Sequence, residues 1–190
     1  LPGSIIHFSK VIDEADIIVM QAEIPYETIK RIALLAKQKG KKVLFNPAPA
    51  CLIDEELMKA IDILVVNELE AAFISGIEYT GNNLEEIALS LLQAGARNAV
   101  ITLGSQGVYM KNDKEIIQLP GYKVNAIDTI AAGDTFCGAL AVICAQREID
   151  RDALSFANAA AAIAVTRSGA QPSIPTLTEV NAFIHPQINF

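Results

Sequence analysis

The 190-residue sequence is poor in cysteine, histidine and basic residues, and it has no long apolar run. Its three cysteines, Cys51, Cys137 and Cys144, make no CxxC pair and no metal-ligand spacing, which argues against a disulfide scaffold and a cysteine metal site. They read as structural thiols in a reducing compartment, with Cys137 and Cys144 sharing a buried helix face. The two histidines, His7 and His185, lie near the two ends and read as surface structure. Lys and Arg number 15 against 22 Asp and Glu, a net charge of -7, and no basic cluster is present. That balance argues against a nucleic-acid partner and an anionic membrane surface. Any bound phosphate must then be met locally, by backbone amides and helix ends. The apolar run near the cysteines, residues 139–145, is far too short to span a bilayer. No N-terminal stretch joins a basic segment, an apolar run and a cleavage site, so residence in the cytoplasm is expected. The chain opens at Leu1 on a helix-like polar stretch leading into a strand, and is expected to begin in the middle of a fold.

What is present is apolar: 52% hydrophobic residues against 19% charged. Disorder needs the reverse, and a chain of this length can bury a sizeable core. Short apolar runs at residues 17–20, 43–45, 63–66 and 99–102 read as buried strands. Between them, Ile29, Ile32, Ala33 and Ala36 recur at helical spacing up to a stop at Gly40. Residues 54–60 and 84–93 read as further helices, and 67–74 as a helical turn. Gly104 and Gly107 turn the chain into residues 108–110, with 116–119 as a hairpin partner. Two long helices rich in small residues follow, 133–146 and 151–167. Strands alternating with helices predict an α/β fold, a three-layer α/β/α sandwich on a mostly parallel sheet. Residues 1–190 are expected to form one nucleotide-binding and catalytic domain.

The sharpest motif is Asp128-Thr129-Ile130-Ala131-Ala132-Gly133-Asp134-Thr135-Phe136. Small residues precede a predicted helix start, where free N–H groups and the helix dipole hold an anion. Asp134 then places a carboxylate in the first turn. It suits a base that takes a proton from an attacking hydroxyl. An ordinary stabilising carboxylate at a helix start stays open as the other reading.

This run resembles the C-terminal signature of the ribokinase-like sugar kinases, also called the phosphofructokinase-B family. Asn46-Pro47-Ala48-Pro49-Ala50, Asn67-Glu68-Leu69-Glu70 and Thr102-Leu103-Gly104-Ser105-Gln106-Gly107 resemble three further motifs of that family, in the same order. Ala159 to Arg167, followed by Gly169-Ala170-Gln171-Pro172-Ser173, is similar to its ribose-phosphorylating members. The resemblance covers essentially the whole chain.

The resemblance implies roles. Asp134 matches the catalytic base, and Ala131, Ala132 and Gly133 the anion hole. ATP would be met by Asn67, Thr102, Leu103, Gly104, Ser105, Gln106, Gly107, Gly133 and Asn158. Gly104 and Gly107 would let the backbone pass close to the nucleotide, an ordinary hairpin turn being the alternative. Glu70 matches the residue associated with hydrated magnesium, with a solvated helix start as the plain reading of Asn67 and Glu70. Glu23, just after the first strand, aligns with a sugar-contacting position, an exposed loop carboxylate being the alternative. A monovalent-cation site for potassium would draw oxygens from Asp128, Ile130, Ala164, Arg167, Gly169 and Ser173. The implied reaction is ATP-dependent phosphorylation of a sugar hydroxyl, D-ribose to D-ribose 5-phosphate. A fructokinase-like or nucleoside kinase of the family, or a non-catalytic nucleotide-binding fragment, are the alternatives. Nothing here matches the family's glycine-rich sugar motif, its Asp-containing N-terminal motif or its β-sheet lid. The resemblance therefore implies the nucleotide half and the base with only part of the sugar site, and either a homo-oligomer or a missing N-terminal half.

Overall fold

The structure, a computed structural model, describes residues 5–185, with side chains from Ser9 onward. The side chain of His7 lies outside the described residues, and His185 is exposed as expected. The chain divides into two compact units. One runs up to Leu103 and includes Tyr109–Ile117; the other comprises Gly104–Val108 and everything from Gln118 on.

In the first unit, α1 (Ile5–Glu14) leads into β1 (Ile17–Gln21). Then follow α2 (Tyr26–Gln38), β2 (Lys42–Asn46), α3 (Glu55–Ala60), β3 (Ile63–Asn67), α4 (Glu68–Ser75), α5 (Leu84–Gln93) and β4 (Asn98–Thr102). The strands β1 to β4 pair in parallel. With β5 (Val108–Asn112) and β6 (Ile116–Leu119) they make one sheet in the order β1-β2-β3-β4-β5-β6. The hairpin turn is closed by the Asn112 carboxamide oxygen, which accepts from the N–H groups of Lys114 and Glu115 at 2.9 Å each. Both expectations, the mostly parallel sheet and the closing hairpin, hold.

Register explains why the strands are apolar through their middles. Met20, Phe45, Leu64 and Ala99 are successive cross-strand partners, so their side chains share one face. That row joins Ile29, Ala33 and Ala36 of α2, Leu57 and Met58 of α3, and Ile87 and Leu91 of α5 in one core. The alternate residues Leu44, Val65, Val100 and Met110 are also buried. Both faces of the sheet are therefore covered. Each large side chain so buried contributes roughly 1.5–3 kcal/mol. Helix starts are fixed by side chains: Asp54 accepts from Leu57 N at 2.9 Å, and Asn67 caps α4. Helix α2 stops at Gln38, two residues before Gly40, which takes φ 67°.

Asp62 ties the starts of three strands together. It is 7% exposed and accepts from Val43 N at 3.0 Å and from Arg97 Nη1 at 3.0 Å. Its backbone carbonyl accepts from the Asn98 amide at 2.8 Å, and Asn98 in turn accepts from Asn112 at 3.0 Å. Arg97 is largely exposed, so the ion pair itself adds little. The stranded Val43 N–H is the larger cost of losing Asp62. Asp62→Ala should lower unfolding stability by about 2 kcal/mol, read as a shift in the denaturant midpoint at unchanged slope. A shift of under about 0.5 kcal/mol, within the range of an ordinary surface substitution, would remove Asp62 from this role.

In the second unit, α6 (Ala132–Cys144), α7 (Arg151–Ala164) and α8 (Leu177–Ile184) pack through small residues. Ala159, Ala160, Ile163 and Val180 form its core, with Tyr122 against Phe183 at a ring separation of 5.0 Å. Cys137 and Cys144 are buried on α6, and none of the three cysteines forms a disulfide. Two helices differ from the sequence reading in their bounds. Helix α6 begins at Ala132 and closes at Cys144, and α7 closes at Ala164, short of residue 167. The Val165 carbonyl is taken by Ile127 N (2.7 Å) and Asp128 N (3.2 Å), while Arg167 N folds back to Ala164 O at 3.0 Å. A carbonyl bonded to another segment cannot carry the helix further. Helix α8 is an addition to the reading, and is closed by a capping box of Thr176 and Glu179.

Candidate functional site

The residues singled out in the sequence divide between the units. In the first unit, Gln21, Asn46, Asn67 and Thr102 are the last residues of β1, β2, β3 and β4. Gln21 pairs with Asn46 and Asn67 with Thr102, so polar side chains line the carboxyl edge of the parallel strands. That edge is where open α/β sheets bind ligands. Glu23 sits two residues beyond β1 and is exposed. Asn67 Oδ1 accepts from Leu69 N at 3.0 Å and Glu70 N at 2.8 Å, and Glu70 Oε2 accepts from Asn67 N at 2.9 Å. The plain reading, a helix start, is thus true of both residues, and it goes further than a solvated one. The capping box holds the pair rigid and leaves the Asn67 amide and Glu70 Oε1 turned outward from those bonds. Thr102 Oγ1 reaches Val66 O at 3.3 Å, and Leu103 is buried.

In the second unit, Gly104–Gln106 form a single 3-10 turn, closed by Gly107 N on Gly104 O at 3.1 Å. Gly107 has φ 104°, and a Cβ there would lie 2.1 Å from Leu119 O. Gly121 answers from the other side: its Cβ would lie 2.2 Å from Ser105 O. So the glycine at 107 is required by the chain's own backbone, whereas Gly104 faces open space at φ 54°. Asn158 is buried and donates to Pro120 O at 3.0 Å, just before Gly121, which leaves its carboxamide oxygen as an acceptor.

Helix α6 starts differently from α3, α4, α7 and α8. Those four are capped by Asp54, Asn67, Asp150 and Thr176, but α6 has no side-chain cap. Its N-cap, Ala131, sits at φ 59°, the one non-glycine with positive φ among the described residues. Such a residue costs on the order of 1 kcal/mol and marks a functional constraint when it persists. Gly133 follows in the first turn, where N–H groups have no acceptor within the helix. A methyl group on Gly133 would meet no atom within 4 Å, so protein packing does not demand the glycine. Asp134 is exposed in the same turn. Thr135, next along, is 5% exposed with its hydroxyl unpartnered among the described residues. Sequence reasoning missed Thr135 and Gly121. Thr135 stood inside the quoted motif, and Gly121, after Pro120, was visible only as a turn signal.

The residues expected around a monovalent cation come together in part. Asp128 Oδ1 accepts from Ile130 N at 2.9 Å and Oδ2 from Gly169 N at 3.0 Å. These donors, Ile130 first, hold the Asp128 carboxyl below its usual range. Ser173 is fully buried and donates to Ala170 O at 2.6 Å. Arg167 is tied to Glu179, whose pKa falls to about 2, chiefly through the guanidinium and then through Thr176. Every group offered there is an oxygen donor, and among the described residues no three His, Cys, Asp or Glu cluster as a metal site.

Comparison with known proteins gives a consistent answer. The family described as pfkB family carbohydrate kinase matches residues 3–177. A ribokinase from Staphylococcus aureus is 41% identical over 182 residues, covering 95% of this chain and 60% of that protein. A ribokinase from Haemophilus influenzae is 39% identical over 91% of this chain and 57% of its own. Among solved structures, Arabidopsis thaliana ribokinase complexed with ribose and ATP superposes with a TM-score of 0.88 at 28% identity. It is matched over 94% of this chain and 59% of that one. The chain thus spans about 60% of the length of the relatives it matches. These likenesses carry the fold class, a three-layer α/β/α sandwich on a mostly parallel sheet. Among the described residues no helix is long and apolar enough to cross a membrane.

Proposed function

The chain belongs to the pfkB carbohydrate kinase family, and from that premise we propose that it carries the nucleotide-binding and catalytic part of an ATP-dependent sugar kinase, with D-ribose phosphorylated on its 5-hydroxyl. One observation carries the reading: the uncapped start of α6, where a strained Ala131 and an open Gly133 precede Asp134. Asp134 takes the proton of the attacking hydroxyl as its oxygen bonds to the γ-phosphorus. The bond from that phosphorus to the β–γ bridging oxygen breaks, and ADP leaves. The N–H groups at Ala131, Ala132 and Gly133, aided by the helix dipole, stabilise charge on the transferring group.

ATP is met by Asn67, Thr102, Leu103, the 104–107 turn, Gly133 and Asn158, and the sugar by Glu23 and Asp134. The capping box fits a hydrated magnesium ion, since it spends one Glu70 oxygen on Asn67 N and leaves the other for the ion's water. When bound, magnesium neutralises phosphate charge. Asp128 and the oxygens of Ile130, Ala164, Arg167, Gly169 and Ser173 are hard donors that suit potassium, which would add positive charge beside the α6 start. All of residues 1–190 act as one catalytic domain fragment in this reading, in the cytoplasm, where free thiols persist. Among the described residues the outer side of β1 is unpaired, so self-association or union with a further segment belongs to the same proposal.

The length relation favours one second reading, a non-catalytic nucleotide-binding fragment. Coupled ADP release separates the two. Residues 1–190 alone should show no ribose-dependent release. Once the segments that complete the sugar site are supplied, we expect release that depends on ribose, exceeds that with fructose, and is greater in potassium than in lithium chloride at equal ionic strength. Release with fructose alone would move the assignment to another member of the family. ATP binding without sugar-dependent release would favour the non-catalytic reading. Equal rates in the two salts would remove the cation site.

A further inference from the structure

Asn46 has no part in the chemistry above, yet three strand ends meet on it. It is the last residue of β2 and only 9% exposed. Paired rungs between β2 and β3 end at Phe45 and Leu64. The next residue after Asn46 is Pro47, which has no N–H to give. The Asn46 side-chain amide donates instead, to Val65 O at 2.8 Å. Its carboxamide oxygen faces the Gln21 amide at 3.5 Å, at the end of β1. Its backbone carbonyl accepts from Ala48 N at 2.8 Å, and Ala48 O accepts from Ala22 N at 3.1 Å. Ala22 immediately precedes Glu23, and Val65 lies two residues before Asn67.

We propose that Asn46 is a positioning residue that locks the carboxyl ends of β1 and β3 to β2 and so fixes Glu23 relative to the Asn67–Glu70 capping box. This rests on the sugar-kinase reading, in which those two places hold the two substrates. The side-chain type follows from the geometry. A buried leucine would strand the Val65 carbonyl. An aspartate would set a carboxylate oxygen against that carbonyl with no proton between them. The carboxamide supplies both the N–H that β3 accepts and the oxygen that faces β1. Displacing one substrate against the other by about 1 Å costs about 10²-fold in rate, so a small slip here has a kinetic reading.

The test compares the unmodified chain with Asn46→Asp and the milder Gln21→Ala. One arm measures amide hydrogen exchange at Ala22 and Asn67, with helix α5 as internal reference. Asn46→Asp should speed exchange at both amides by about tenfold or more relative to α5, as expected when a local hydrogen-bonded unit opens. Gln21→Ala should affect Ala22 alone. The other arm measures kinetics at a temperature where thermal melting shows each variant folded. Asn46→Asp should lower kcat by about tenfold or more and raise the sugar KM. A lowered melting temperature with unchanged exchange at Ala22 and Asn67 overturns the proposal, as does unchanged kcat and sugar KM in an active preparation. If Asn46→Asp does not fold, Gln21→Ala decides: a Ala22 exchange rate equal to that of the unmodified chain overturns it. Where even the protein completed by its further sugar-site segments shows no sugar-dependent turnover, the kinase reading falls, while coupled exchange still upholds the lock on its own.

Discussion

Asp134→Asn is expected to lower turnover by about 10²–10⁴-fold while leaving fold and nucleotide affinity nearly unchanged. The substitution keeps the size of the side chain and its capacity to hydrogen-bond. It removes the proton affinity that a general base needs. Asp134 is exposed in the first turn of α6, so little packing is lost. Removing a carboxylate from a helix start costs roughly 0.3–1 kcal/mol through the dipole, small beside the roughly 3–5.5 kcal/mol that such a rate loss represents. Steady-state kinetics, in a preparation with sugar-dependent ADP release, give kcat; calorimetric titration with MgATP gives affinity. A structural carboxylate would show the opposite pattern, a lower melting temperature with near-normal turnover. That outcome would return Asp134 to its plain reading. The prediction does not depend on which sugar is phosphorylated.

Gly107→Ala should prevent stable folding, or cost at least about 3–4 kcal/mol of stability, a large share of the roughly 5–15 kcal/mol typical of a domain. Two independent obstacles stand in its way. The backbone φ of 104° is one that L residues rarely adopt. The new methyl carbon would lie 2.1 Å from Leu119 O and 2.5 Å from both Gly121 N and the Pro120 carbonyl carbon. All three are backbone atoms, so no side chain can swing aside. Gly104→Ala is the control: it meets open space and has only its φ of 54° to overcome, about 1 kcal/mol. Soluble yield and melting temperature check the pair. A Gly107→Ala protein melting within a few degrees of its parent would show that the close approach of the two segments is wrong. The contrast also guards a common inference. Weak ATP binding in a Gly107 variant says nothing about nucleotide contact, because the turn itself is lost; Gly104 is the position at which binding can be tested cleanly.

The strands β1 to β4 were legible because each is built on a short apolar run, and their parallel pairing followed from the helices between them. Helix α8 was not, although Thr176-x-x-Glu179 is a capping-box signature; it lies among polar and proline residues with one buried side chain, Val180. The end of α7 could not be read from residues 151–167, since it is set by Ile127 and Asp128 taking the Val165 carbonyl, an event of tertiary origin. The chemistry of Asp134 was argued from its place at a helix start, and that place is where the structure puts it. Asn67 and Glu70 show the limit of such reading. Residues 67–74 read as a helical turn that includes both, but Asn67 lies outside the helix as its cap. Asn46 was quoted only as part of a motif, because its role depends on where the β2–β3 ladder stops, which no spacing within residues 46–50 encodes.

The strand order of the sheet, strictly that of the sequence, bears on how the protein is made. Among β1 to β6, β1 leaves the ribosome first, and each later strand finds its neighbour already made. Each pairing closes a loop of modest length, so its entropy cost stays small and no strand must search past an unformed one. The sheet can thus be laid down one strand at a time during synthesis, from β1 toward the β5–β6 hairpin. Folds whose central strand is translated last must hold their early strands unpaired until it emerges. This one has no such waiting period within β1 to β6.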